Sequence, residues 1–81
     1  MITIKNFVIT EIADVNKFVN LCSHCTGCVE VRRGRWCVDG SSIMGLMSLN
    51  LSEGVTITFN ENDVSDEFLK FVETHSFVEL T

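Results

Sequence analysis

Four cysteines, two histidines and one serine carry most of the chemistry this chain could offer. Cys22, Cys25 and Cys28, with Cys37 further on, have the short spacings of thiolate sets that hold zinc or iron–sulfur clusters. A metal site would need four thiolates to converge at about 2.3 Å from one ion. His24 and His75 fall at the far ends of two expected helices, where a solvated imidazole is the ordinary reading. Ser42 is different in kind. It follows the turn-forming Asp39-Gly40-Ser41 and precedes Ile43-Met44-Gly45-Leu46-Met47-Ser48-Leu49, so its hydroxyl is placed to accept a backbone N–H at a helix start. That helix is too apolar for one buried stripe. Leu46 and Leu49 form the natural inward pair, and Gly45 lets the backbone approach its support. Ile43, Met44 and Met47 are left as an exposed patch beside the serine. Either a partner binds there or the chain's own tail, through Phe77 or Val78, covers it.

The elements that must position these groups follow from periodicity. Ile2 to Lys5 alternates as a strand, and the pattern blurs from Asn6 to Thr10. Ile12, Val15, Phe18, Val19 and Cys22 recur at helical intervals, giving an amphipathic helix that ends near His24 to Gly27. A hairpin follows. With Arg33-Gly34 as its two-residue loop, Val31 lies opposite Trp36 and Val29 opposite Val38, and Trp36 is expected to be largely buried. Cys28, Glu30, Arg32, Arg35, Cys37 and Asp39 then share the outer face, with Glu30 opposite Cys37 and Asp39 opposite Cys28. This register places Cys28 and Cys37 away from Cys22 and Cys25 on the helix layer, and it disfavours a cross-strand disulfide. Four reduced thiols and no metal are therefore expected. Val55, Ile57 and Phe59 mark a further strand. A last helix starts near Asp63 with Val64, Phe68, Phe71, Val72 and His75 on one face, and the tail from Ser76 to Thr81 extends, frays or adds a strand. The order β-α-β-β-α-β-α predicts an α+β open-faced sandwich with helices on one side of a sheet.

Eighty-one residues with 46 % hydrophobic content make one small domain, residues 1–81, with a thin core. A net charge of −5 argues against nucleic acid as the main partner. No stretch approaches the length of a membrane span, and Met1 to Lys5 has no secretory pattern, so a cytoplasmic monomer is expected. Arg32, Arg33 and Arg35 concentrate half of the six basic residues at the hairpin, as a solvated turn or a docking point for an acidic partner.

Ser42-Ile43-Met44-Gly45-Leu46-Met47-Ser48-Leu49, preceded by a strand and followed by Gly54-Val55-Thr56-Ile57-Thr58-Phe59, resembles the regulatory-serine segment of the histidine-containing phosphocarrier (HPr) family of the bacterial sugar phosphotransferase system. The likeness is specific over roughly Val29 to Phe59. It implies a four-stranded antiparallel sheet, no cofactor, a regulatory phosphorylation at Ser42, and a docking helix for phosphotransferase-system enzymes, a serine kinase or a transcriptional regulator. In that family a histidine at the mouth of the first helix accepts the phosphoryl group, aided by an arginine two residues later and followed by a proline. Counting back from Ser42 without gaps puts Glu11 at the histidine, Ala13 at the arginine and Asp14 at the proline. The resemblance thus implies a non-enzymatic regulatory or interaction protein that keeps the serine helix and lacks the phosphoacceptor. The alternatives are a phosphocarrier using Glu11 or another residue, and a cysteine-based metal or redox domain.

Overall fold

Period-two alternation lays down strands, and each strand's apolar set turns to the same side of one sheet. The computed structural model describes residues 1–76. Its elements are β1 (Ile2–Phe7), α1 (Ile12–Ser23), β2 (Glu30–Arg33), β3 (Trp36–Asp39), α2 (Ile43–Met47), β4 (Val55–Phe59) and α3 (Asp66–Thr74), with single 3-10 turns at Leu51–Glu53 and Glu61–Asp63. The strands form one antiparallel sheet in the order β1-β4-β2-β3. Val31, Val55, Ile57 and Phe59 from the sheet join Val15, Phe18, Leu21, Leu46, Phe68, Phe71 and Val72 from the helices in one buried cluster. This is the open-faced α+β sandwich that the spacing predicts.

The centre of the cluster is aromatic. Phe18 lies 5.0 Å from Phe7 and 6.0 Å from both Phe68 and Phe71, ring centre to ring centre, and Phe59 meets Phe68 edge-on at 5.0 Å. Phe7 reaches this position because β1 runs two residues past Lys5 and bulges. Asn6 takes a left-handed φ of 60°, the pairing with β4 shifts between Ile4 and Phe7, and Phe7 turns inward. The bulge is why the alternation blurs there in the sequence.

The hairpin differs from the expected register. Val31 pairs with Val38, Arg33 with Trp36, Arg32 with Cys37 and Glu30 with Asp39, so the loop is Gly34-Arg35. Backbone chemistry decides this. Gly34 holds φ +60°, the positive φ required at the first position of a type II′ turn, whereas an Arg33-Gly34 loop of type I′ would force positive φ on arginine. The slide is even, so each residue keeps its face. Trp36 shares the inner face with Val31 but stands at the tip opposite Arg33, where it is 70 % exposed rather than buried. Trp36→Ala should accordingly change stability by about 0.5 kcal/mol or less. Urea unfolding of the variant checks this, and a loss above about 2 kcal/mol would return Trp36 to the core.

Three further expectations shift. Ile12 is 66 % exposed, since it opens α1 one turn before the core contacts begin at Val15. The last helix starts at Asp66, where the Ser65 hydroxyl accepts the Phe68 N–H at 3.1 Å; Asp63 instead gives its carbonyl to the Thr26 N–H at 3.0 Å. Ser76 bridges to Phe7 on β1, and the tail residues proposed as a cover, Phe77 and Val78, lie outside the described residues.

Candidate docking site around Ser42

A five-residue helix cannot hold itself together, so α2 exists because its caps and one buried side chain hold it. The Asp39 carboxylate accepts the Ser41 N–H at 2.9 Å and its hydroxyl at 2.7 Å, and these bonds hold its carboxyl below the usual carboxylate range. That fixes the turn leaving β3. The Ser42 N–H then donates to the Asp39 carbonyl, and the Ser42 hydroxyl accepts the Gly45 N–H at 3.3 Å, as an N-cap should. Leu46 is fully buried, and Leu49 and Leu51 follow it into the core. Gly45 lies so close to β3 that an added Cβ would sit 3.1 Å from Val38. What α2 leaves uncovered is Ile43, Met44 and Met47, with Met44 84 % exposed.

At the other side of this patch is the mouth of α1. Glu11 occupies the N-cap position of that helix, and its side chain makes no capping bond. Its backbone carbonyl accepts the Asp14 and Val15 N–H groups. Glu11, Ile12, Leu46, Met47, Asn50 and Ser52 line one shallow depression, which brings the first turn of α1 and the end of α2 together. Ala13 supplies no cation, and among the described residues Glu11 has no ion-pair partner. Ile12 is a member of this surface that periodicity placed in the core. Its position as the first residue of the helix was the available signal.

Neither histidine is at this mouth. His24 is exposed, its Nδ1–H donating to the Asn20 carbonyl at 2.7 Å. His75 is more than a solvated helix end. Its ring stacks on Phe71 at 4.1 Å, its Nδ1–H donates to the Phe71 carbonyl at 2.8 Å, and its Nε2 lies 3.5 Å from the Asp14 carboxylate. All four cysteines are free thiols, with Cys22 buried and Cys28 and Cys37 exposed. Burial pushes the Cys22 and Cys25 thiols up from the ordinary value, against thiolate formation. Cys37 faces Arg32 across the hairpin, and Asp39 faces Glu30, rather than the partners first expected. Of the arginines, Arg32 pairs with Glu30 and Arg33 with Glu53, while Arg35 has no carboxylate partner among the described residues.

The fold and the serine-capped helix define an open-faced α+β sandwich with a capped helix beside the mouth of α1. A family model described as "PTS HPr component phosphorylation site" matches residues 2–74, and the chain belongs to that family. A crystal structure described as HPr-C-His from Thermoanaerobacter tengcongensis is similar in fold, with a TM-score of 0.67 and 26 % identity over 98 % of this chain and 97 % of that one. No curated protein matches the chain. Among the described residues, no helix is long and apolar enough to cross a membrane.

Proposed function

We propose that this member of the phosphotransferase-system HPr family acts in the cytoplasm as a regulatory or interaction module, not as a phosphoryl carrier and not as an enzyme. The reading rests on the mouth of α1, where Glu11, without an ion-pair partner among the described residues, stands at the position implied for the family's phosphoacceptor histidine and Ala13 at that of its arginine. A carboxylate without a neighbouring cation repels an incoming phosphoryl group and offers nothing to hold its oxygens in transfer. The serine helix keeps the other half of the family's design. Ser42 caps α2, and Ile43, Met44 and Met47 present an adaptable apolar surface to protein partners: phosphotransferase-system enzymes, a serine kinase or a transcriptional regulator.

Phosphorylation of Ser42 would place about −1.5 to −2 charges beside that patch. On a helix of five residues the gain from the macrodipole is small, so the fold stays as it is and the change falls on binding. Acidic partners are repelled and partners that offer arginine are admitted. Met47→Asp should abolish retention of the native partner in pull-downs from the source cytoplasm while leaving the far-UV spectrum and melting temperature unchanged. A partner retained equally by the wild type and this variant would remove α2 from the docking surface.

A further inference from the structure

Strand β3 is an edge of the sheet: it pairs with β2 on one side, and no described strand pairs with its other side. An open edge presents unpaired N–H and C=O groups to any strand that can match them. The hairpin register dictates which groups these are. A two-residue turn closes on a pair that exchanges hydrogen bonds, here Arg33 and Trp36, so Trp36 and Val38 turn their peptide groups toward β2. Cys37 turns its N–H and C=O outward and Asp39 its N–H, the Asp39 carbonyl already accepting the Ser42 N–H. An antiparallel partner must therefore set its own outward-facing residues opposite these two.

We propose that a second copy of this chain pairs with β3 about a two-fold axis through Cys37, joining the two sheets into one. In that register Cys37 exchanges hydrogen bonds with Cys37 of the other copy. Arg35, the turn residue just before β3, comes beside Asp39 of the other copy, and Trp36 falls opposite Val38 on the inner face, each pair occurring twice. The sequence Arg35-Trp36-Cys37-Val38-Asp39 is thus complementary to itself, in charge at its ends and in apolar character between them. Each group has the capacity that the pairing asks of it. Arg35 has no carboxylate partner among the described residues, and Asp39 uses one carboxylate oxygen on Ser41 and keeps the other. Trp36, 70 % exposed, is a large apolar side chain that the described residues leave open. Sliding the pairing by two residues toward the chain's C-terminus sets Arg35 opposite Ser41 and loses both charge pairs.

A four-residue strand buries little surface, so the association is weak, with a Kd of about 0.1–1 mM. The net charge of −5 on each copy opposes it, and roughly 0.15 M salt screens that long-range term while leaving the contact pairs in place. This inference does not depend on the reading of Ser42 or Glu11.

Sedimentation equilibrium under reducing conditions, read together with the emission of the single tryptophan, tests it. With rising concentration the mean mass should climb from 9.1 kDa toward twice that value. Trp36 emission should move to the blue over the same range. Arg35→Asp opposes like charges across the axis and should weaken association about tenfold or more. Cys37→Pro removes an N–H that has no partner among the described residues, and it should abolish association while the hairpin survives. Lys5→Glu, on the opposite edge strand, makes the same change in net charge as Arg35→Asp and should have no comparable effect. If Cys37→Pro fails to fold by circular dichroism, Arg35→Asp carries the test alone. A mass of 9.1 kDa at every concentration overturns the proposal, and so does an association that survives Arg35→Asp or a folded Cys37→Pro.

Discussion

Phe18→Ala costs about 3–5 kcal/mol, a large share of the stability that a chain of this length has to lose. Phe18 is fully buried and lies within 6.0 Å of three other aromatic rings, so truncation removes the transfer free energy of a whole ring and opens a cavity among neighbours that are themselves ring-shaped and slow to collapse. At the usual 0.05–0.15 kcal/mol per residue, a chain of this length has a total of about 4–12 kcal/mol to lose. Urea unfolding followed by far-UV circular dichroism measures the difference. A loss below about 1 kcal/mol would mean that the helices are not held by this aromatic centre.

Leu46→Ala is the functional counterpart, with an expected cost of about 2–5 kcal/mol. Its consequence is local as well as global. The helix α2 has one buried side chain, five residues and no intrinsic stability of its own, so losing Leu46 releases it from the core. Ile43, Met44 and Met47 would all remain in the sequence, yet the surface they form would be gone. The expected result is fast amide exchange at Leu46 and Ser48 and loss of partner binding under conditions where the sheet still folds. Retained protection at those amides would show that the caps alone hold the helix.

How far the sequence reveals this molecule depends on which interactions decide each feature. The inward faces of α1 and β4 were legible because burial there is dictated by local spacing: Val15, Phe18 and Cys22 on one, Val55, Ile57 and Phe59 on the other. The Ser42 cap was legible because a cap is made by residues three apart. The hairpin register was not. Hydrophobic matching allows an even slide without moving any residue to the wrong face, so pattern alone cannot choose between Val31 opposite Trp36 and Val31 opposite Val38; the φ of Gly34 chooses. Trp36 followed that choice to the exposed tip. Ile12 and His75 escaped for a related reason. A helical face predicts which side a residue points to, not whether another element lies there to cover it. The first turn of α1 leaves Ile12 open, while packing of α3 beside that same turn brings His75 to Asp14. At the candidate site, Ile43, Met44 and Met47 were readable as surplus apolar surface. The depression that joins Met47 to Glu11 and Ile12 is a product of packing between elements distant in the chain.

The central proposal is that the mouth of α1 does not accept a phosphoryl group. Incubating the purified protein with labelled phosphoenolpyruvate and the general phosphotransferase enzyme, beside an HPr-family protein that retains the histidine, measures this directly. The account predicts no label above background on this chain while the reference protein is fully labelled. Stoichiometric, acid-labile or hydroxylamine-sensitive label on the unmodified protein would contradict it.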